Sequence, residues 1–383
     1  MNVLTIANAF GDGISGVDTV VRAYAKELIE RGHNVNILAR TRTSKSGWHQ
    51  IENIPVYYVP TTVKRRSWSN IPYQAWAYFK KINDTTDALR KLGLTCDVLW
   101  MHYGTPDALW VGFKAFPDSP KIIHIHAIGT REFFGEFRKE FRVGSIAKIV
   151  SMSLGFLEKT FLSKTHAIIT YSDWMKKMVE RRIKKGIPIY VIHNPVNFEL
   201  FNSRVKAYPR SALGLSEDDN VVLYVGKLNP LKGTEYLLKA ARMLPNYRFL
   251  LVGRPVAMPE GYYEKIAPRN VIFHSPIPHN SVPEFMKMSD CYVQPTTRDG
   301  LEIPIAEALA VGKPVVTTDH EERREIYEDS VYYAKIGDTK SLANAINEAY
   351  DQGVKKGKER IIRKFDVKTN VDKLEEIFEM INR

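Results

Sequence analysis

The sequence predicts an α/β fold with two Rossmann-like domains, each a parallel sheet covered by helices. Short apolar runs of strand length alternate with longer segments of helical periodicity along the whole chain, and this order is typical of parallel strands joined through helices. The length of 383 residues exceeds what one hydrophobic core usually organises, so two domains are expected. Two such domains facing each other across a cleft form the simplest model.

The first half of the chain carries the first predicted sheet. Its strands are expected at residues 3–7, 35–39, 56–59, 98–101, 122–126, 167–171 and 189–192. Residues 17–31 separate the first two strands and place Val20, Tyr24 and Leu28 at helical spacing, and Gly32 ends the pattern. A strand, a helix and a second strand in this order predict a parallel pair.

The second half repeats this order. Strands are expected at residues 221–225, 248–252, 271–274, 291–294, 315–317 and 331–334, and helices at residues 233–243, 282–289, 303–311, 339–352 and 371–381. The domain boundary is expected after the last strand of the first sheet, near Asn194 and Pro195. The first domain is therefore predicted to cover residues 1–195, and the second residues 196–364.

The positive charge of the chain is concentrated in its first half. Residues 1–190 hold 28 Lys and Arg against 16 Asp and Glu, which accounts for the whole net charge of +12. A basic face favours an anionic partner such as phospholipid, a lipid-linked phosphate or nucleic acid, although a basic surface that only aids solubility is the alternative. The two cysteines give no disulfide framework, and no apolar run is long enough to span a membrane.

Two lysines and two carboxylates follow strands of the second half. Lys227 and Lys232 lie in the loop after residues 221–225, and Asp299 lies eight positions before Glu307 in the loop and helix that follow residues 291–294. The carboxyl ends of parallel strands meet at one edge of a sheet, where helix N-termini offer unpaired N–H groups to anions. The pattern predicts a diphosphate site with Glu307 as an acceptor for hydroxyl groups.

These motifs resemble glycosyltransferase family 4, whose members have two Rossmann-like domains in the arrangement called GT-B. The resemblance rests on Gly226-Lys227-Leu228 with Lys232-Gly233, on Asp299-Gly300-Leu301 through Glu307-Ala308, and on Gly312-Lys313-Pro314. Further matches cover almost the whole chain, at Gly16-Val17-Asp18, His124-Ile125-His126, His193-Asn194-Pro195 and Phe365-Asp366. The resemblance implies that residues 365–383 include a helix that crosses back onto the first domain.

The resemblance also implies roles for individual residues. Lys227 and Lys232 correspond to the basic pair that binds the donor diphosphate, and Glu307 to the carboxylate that binds the donor ribose. Asp299 and His126 correspond to residues beside the transferred sugar, so these two and the lysines form the implied catalytic group. The implied donor-binding group also includes Gly16, Arg254, Ile277, Leu301, Glu302 and Ile303.

The chain departs from the family pattern at five positions, one of which is Ile303 in place of the common leucine. Lys227 replaces the more usual arginine and so keeps the charge without a bidentate fork, and Asp299 replaces a longer glutamate. Ala127 replaces the aspartate that usually follows the histidine at position 126. Glu302 occupies a position that is often glycine, and a carboxylate beside a diphosphate must point away or be compensated.

Two segments of the first half combine basic and aromatic residues. They cover residues 64–81 and 131–142, and in the second segment three phenylalanines recur at a spacing of four beside two arginines. Such a helix could lie on an anionic membrane, or its aromatic stripe could pack in the core of the first domain. The chain is predicted to be cytoplasmic, and the membrane interpretation adds peripheral binding to the inner face of the membrane.

The sequence as a whole predicts a retaining, metal-independent glycosyltransferase, and more narrowly a hexosyltransferase. Its sugar would come from a nucleotide-diphosphate donor and pass to a glycan or lipid-linked acceptor, with no nucleic-acid partner. The loops that carry the predicted site hold neither Asp-x-Asp nor a His or Cys cluster, so no metal and no cofactor is expected. A sugar-nucleotide epimerase of the same fold and a catalytically degenerate sugar-nucleotide-binding protein are the alternatives.

Overall fold

The computed structural model describes residues 1–7, 10–11, 16–40, 46–59, 71–103, 106–126, 158–183, 186–256, 258–298, 300 and 302–383. The chain divides into two compact units, of which the first comprises Met1–His193 with Val367–Arg383 and the second Asn194–Asp366. Each unit has its own sheet. The prediction of two Rossmann-like domains is confirmed.

The first unit contains an eight-stranded sheet in the order β3-β4-β2-β1-β5-β6-β7-β8. Its strands are β1 (Asn2–Ala7), β2 (Asn34–Arg40), β3 (Gly47–Ile51), β4 (Ile54–Val59), β5 (Val98–Tyr103), β6 (Lys121–Ile125), β7 (Ala167–Thr170) and β8 (Ile189–Val191). Strands β1 and β6 are almost wholly buried, as expected for strands covered on both faces.

One edge of this sheet corrects the prediction of a wholly parallel sheet. Strand β3 was not predicted, and it pairs antiparallel with β4. Glu52 and Asn53 connect the two strands and both have positive φ angles, of 50° and 66°, as in a two-residue type I′ hairpin. The residues of β3 alternate between exposed and half-buried, so this edge strand lacks the continuous apolar run that identified the buried strands.

The second unit contains a six-stranded parallel sheet in the order β11-β10-β9-β12-β13-β14. Its strands are β9 (Asn220–Val225), β10 (Tyr247–Val252), β11 (Val271–His274), β12 (Cys291–Gln294), β13 (Val315–Thr318) and β14 (Tyr332–Ala334). The chain begins at β9, builds outward to β11, and then returns to the other side of β9. Strands β9 and β12 therefore flank the point where the strand order reverses, which is where doubly wound sheets bind ligands.

The helices follow the strands in both units. They are α1 (Gly16–Glu30), α2 (Ile71–Lys91), α3 (Pro106–Ala115), α4 (Asp173–Glu180), α5 (Thr234–Met243), α6 (Tyr262–Ile266), α7 (Val282–Met288), α8 (Ile303–Val311), α9 (Glu321–Tyr327), α10 (Thr339–Gln352), α11 (Lys358–Lys364) and α12 (Val367–Asn382). Throughout the described ranges, no helix combines the length and the apolar character needed to cross a membrane.

The last helix, α12, packs within the first unit. Arg31, next to the end of α1, lies 2.6 Å from the Asp372 carboxylate and 2.7 Å from that of Glu375. Phe378 is fully buried, and its ring centroid lies 5.8 Å from that of Trp100. The chain thus returns to the first unit after completing the second.

Candidate functional site

The loop after β9 is organised by its own side chains. Residues Pro230–Lys232 form a 3-10 turn, and the Asn229 side chain caps it by accepting a hydrogen bond from the Lys232 N–H at 2.8 Å. The N–H of Asn229 in turn donates to the Thr234 hydroxyl at 3.0 Å. Lys227 is exposed, and Lys232 is partly buried with 31% of its side chain accessible. Both predicted lysines therefore lie at the carboxyl edge of the second sheet.

Gly233 allows the loops after β9 and β12 to approach closely. It has a φ of 76°, and a Cβ at this position would lie 2.0 Å from the Pro295 carbonyl oxygen. The Thr297 N–H also donates to the Leu231 carbonyl oxygen at 2.9 Å. Only glycine adopts this positive φ without strain and also leaves room for the Pro295 carbonyl group. Any side chain at this position would push the two loops apart.

The approach of these loops brings Lys232 onto Glu302. The Lys232 ammonium forms an ion pair with the Glu302 carboxylate, which is 13% exposed. Burial alone would raise the pKa of the Glu302 carboxyl, but the charge and hydrogen bond of Lys232, together with the charge of Arg323 and the Thr296 hydroxyl, lower the pKa below its ordinary value. The sequence required Glu302 to turn away or be compensated, and in the structure it is compensated by the lysine that was predicted to bind phosphate.

Helix α8, which follows β12, carries Glu307 in its second turn. Its N-cap residue is Glu302, and Pro304 lies in its first turn, where a missing N–H costs nothing. Glu307 is buried, and its carboxylate Oε1 lies 2.8 Å from His279 Nε2. His279 begins the short turn His279–Ser281 that follows β11. Glu307 is thus a buried acceptor held at the same edge as Lys232.

Two predicted donor-binding residues follow the neighbouring strands. Arg254 comes after β10 and is exposed, and its carbonyl oxygen accepts from the Leu228 N–H at 2.9 Å. Ile277 comes after β11 and is half-buried. Ile303 is the buried first residue of α8. All three lie in the second unit, where Arg254 and Ile277 follow strands and Ile303 begins a helix.

Asp299 and Leu301 lie outside the described residues. The adjacent residues Arg298 and Gly300 are hydrogen-bonded to two buried residues that were not predicted from the sequence. The Gly300 N–H donates to the Glu322 carboxylate at 2.8 Å, and the Arg323 guanidinium donates to the Arg298 carbonyl oxygen at 2.6 Å. Both Glu322 and Arg323 are almost fully buried in α9. They lie in a run of mixed charge, a pattern typical of solvent-exposed helices, so no local sequence signal distinguished them.

His126 lies in the first unit, at the end of β6. Its Nε2 is 2.8 Å from Nδ1 of His102, at the end of β5. His124 lies directly opposite His102 across the two strands, and its ring stacks on that of His126 with centroids 4.4 Å apart. The sequence missed His102 and His124, although two histidines spaced by two residues on a predicted strand indicate side chains on one face.

Burial keeps these three histidines neutral. It lowers the pKa of His126 to about 3 and those of His102 and His124 well below the ordinary value, and the neighbouring imidazoles contribute to the shift of the latter two. Within the described part of the chain, neither ring nitrogen of His124 has a hydrogen-bond partner. His126, which the family resemblance implies beside the transferred sugar, is therefore a neutral hydrogen-bond donor or acceptor and not a cation.

The same three histidines are the group among the described residues whose spacing could suit a metal ion. One nitrogen from each lies within 4.8 Å of the others. Their ring planes, however, differ by only 9°, 21° and 30°, and metal ligation requires lone pairs in the ring planes to converge on one point. The arrangement is that of a stacked, hydrogen-bonded group, and the rings would have to turn before they could bind a cation together.

Gly16 and the two basic segments complete the predicted residues. Gly16 is the exposed first residue of α1. Residues 131–142 and 64–70 lie outside the described residues, and residues 71–81 form the start of α2.

In the described part of the first unit, the buried carboxylate of Asp18 accepts from the Gly11 N–H at 3.1 Å and from Arg22 at 3.0 Å.

Comparison with protein families covers most of the chain. Residues 14–200 match the family model described as Glycosyltransferase Family 4, and residues 208–364 match the model described as Glycosyl transferases group 1. D-inositol 3-phosphate glycosyltransferase of Mycobacterium tuberculosis is 29% identical over 157 residues, which cover 39% of this chain. The matched region spans only 33% of that relative.

Solved structures share the fold over the whole length. Sucrose-phosphate synthase from Thermosynechococcus elongatus superimposes with a TM-score of 0.80 at 19% identity and covers 100% of this chain and 99% of its own. HepE of Anabaena, in complex with UDP and glucose, gives a TM-score of 0.72 at 19% identity and covers 99% of this chain and 100% of its own. At these identities the likeness establishes the fold alone.

Proposed function

The chain belongs to glycosyltransferase family 4, and from this membership we propose that it transfers a sugar from a nucleoside-diphosphate donor to an acceptor hydroxyl. The observation that carries the proposal is that Lys232 and the buried Glu307 both lie in segments that follow the carboxyl ends of β9 and β12, the strands that flank the reversal point of the second sheet. A cation for phosphate and an acceptor for hydroxyl groups at one sheet edge match the two polar parts of a nucleotide sugar.

The diphosphate is assigned to the loop after β9 and the start of α8. Lys227 and Lys232 supply two ammonium groups, and the N-terminus of α8 supplies the partial positive charge of the helix dipole. Together these groups stabilise the negative charge that develops on the departing diphosphate. Because the protein provides this charge itself, the proposal includes no metal ion.

The ribose is assigned to Glu307. A carboxylate with one oxygen on His279 keeps further lone pairs for a vicinal diol, and its burial strengthens such hydrogen bonds. Ile277, two residues before His279, is assigned to the nucleobase. HepE, which shares the fold, has been observed with UDP and glucose, and this supports a nucleoside diphosphate as the ligand.

We further propose that the sugar keeps its anomeric configuration. The acceptor oxygen bonds to the anomeric carbon on the face from which the carbon–oxygen bond to phosphate breaks, and the acceptor proton passes to the departing phosphate oxygen. His126 has no charge to contribute to this step, because burial lowers its pKa to about 3. The charge excess of residues 1–190 favours an acceptor that is a glycan or is linked to an anionic lipid.

Product analysis by proton NMR tests the proposal. The protein is incubated with UDP-glucose, GDP-mannose or ADP-glucose, with and without an extract of lipid-linked and free glycans. We expect one donor to release its nucleoside diphosphate only when the acceptor extract is present, with the anomeric coupling of the donor retained in the product. Free epimerised sugar would indicate an epimerase, and binding without turnover would indicate a degenerate binding protein.

A further inference from the structure

The carboxylate of Glu302 lies where the proposed donor must place a phosphate. It is ion-paired with Lys232, and it is the N-cap residue of α8. Among the described residues, no side chain caps the N-terminus of α8. The Glu302 carboxylate therefore accepts no hydrogen bond from the first N–H groups of this helix. The helix start and Lys232, which are two of the three cationic features of the phosphate site, therefore adjoin one fixed negative charge.

Glu302 has other partners that can hold it when Lys232 turns to a phosphate. The carboxylate also interacts with the Thr296 hydroxyl and with the charge of Arg323, and both lower its pKa. Thr296 and Arg323 are buried, and Arg323 is anchored to the loop by its bond to the Arg298 carbonyl oxygen. The negative charge is therefore built into the site and remains there when the ion pair with Lys232 opens.

A fixed negative charge discriminates between the two nucleotides that this site must handle. In a nucleotide sugar the distal phosphate is a diester with one negative charge, whereas in the released nucleoside diphosphate it is a terminal phosphate with between one and two, because its second pKa lies near 6. Repulsion from Glu302 acts on this distal phosphate over a few ångströms. The carboxylate thus opposes the product more strongly than the donor.

We propose that Glu302 is a specificity-determining residue that competes with the distal phosphate for Lys232 and weakens binding of the nucleoside diphosphate product relative to the nucleotide-sugar donor. This inference rests on the proposed function and deepens it. The chemistry of transfer is unchanged, and Glu302 acts on the release of the nucleotide. A residue of this kind speeds turnover wherever product release limits the rate.

Calorimetric titration of the Glu302→Gln variant tests the inference. The ligands are whichever of UDP-glucose, GDP-mannose and ADP-glucose the wild-type protein binds, together with the matching nucleoside diphosphate. We expect the variant to bind the nucleoside diphosphate about tenfold more tightly and the nucleotide sugar about threefold more tightly, as the loss of one nearby charge predicts. Inhibition by added product should increase in parallel.

A control variant and two kinds of contrary result separate this inference from the proposed function. Glu217→Gln makes the same change in net charge at an exposed residue before β9, on the opposite edge of the sheet, and should leave both affinities unchanged. Equal changes for the two ligands, or weaker binding of the product, would overturn the inference while leaving the proposed function standing. Failure of the wild-type protein to bind any of the nucleotides would instead overturn the proposed function. If Glu302→Gln is unstable, Glu302→Gly repeats the test.

Discussion

Replacing Glu307 by glutamine is expected to lower kcat/KM for the nucleotide sugar by about a hundredfold or more. Glu307 is buried and retains lone pairs beside its bond to His279, so in the proposed complex it accepts from both ribose hydroxyls. Each hydrogen bond to a charged group contributes about 1.5–3 kcal/mol, and each 1.4 kcal/mol is a tenfold change. The amide would also turn an N–H group toward one of these partners.

Steady-state kinetics with the donor varied at saturating acceptor measures this effect. Glu284→Gln, at an exposed position on α7 of the same unit, provides the matched control and should retain wild-type values. Thermal unfolding of both variants separates a binding defect from a folding defect, since loss of the bond to His279 removes one buried interaction. Wild-type kcat/KM in a folded Glu307→Gln variant would refute the assignment of the ribose site.

The stability of the first unit should fall steeply between pH 7 and pH 5. His102, His124 and His126 are held neutral by burial, with the pKa of His126 lowered to about 3. In the unfolded chain each takes up a proton near pH 6.5, so between about pH 3 and pH 6.5 the unfolded state binds more protons and stability rises with pH. Each histidine then contributes up to about 1.4 kcal/mol per pH unit.

Denaturant unfolding at pH 7, 6 and 5 measures the contribution of one histidine. His124→Phe keeps the ring stack and removes two buried nitrogens that have no partner among the described residues. We expect the variant to take up about one proton fewer on unfolding, so that its free energy of unfolding depends less steeply on pH. His49→Gln, on the edge strand β3, is the control and should follow the wild-type protein. An unchanged pH dependence in His124→Phe would show that these histidines do not resist protonation as described.

The order of strands and helices followed from the sequence because the strands that build both cores are continuous apolar runs. Strand β12 (Cys291–Gln294) and helix α8 (Ile303–Val311) lie where they were predicted, and both are almost wholly buried. Strand β3 was missed because an edge strand needs no buried face on either side. Its turn at Glu52 and Asn53 has no glycine, although the type I′ conformation usually favours one.

The polar residues of the site were predictable in part. Lys232 and Glu307 follow strands in the chain, and the topology alone brings strand ends to one edge. The contacts of Glu322 and Arg323 with the loop after β12 connect segments 22 and 25 residues apart, and no local pattern encodes such pairings. The partner of Glu302 also depends on the close approach of two loops at Gly233. The sequence therefore predicted that the Glu302 charge needed compensation, but not which residue would provide it.

The carboxyl edge of the second sheet is expected to bind the diphosphate of a nucleotide. Isothermal titration of UDP, GDP and ADP into the wild-type protein and the Lys232→Met variant tests it directly, with Lys239→Met on the exposed face of α5 as the control. We expect one site per chain for at least one nucleotide, unchanged affinity in Lys239→Met, and a loss of affinity of about thirtyfold or more in Lys232→Met, as expected for removal of a charged partner. Equal affinity in the wild-type protein and Lys232→Met, or no binding of any of the three nucleotides, would contradict it.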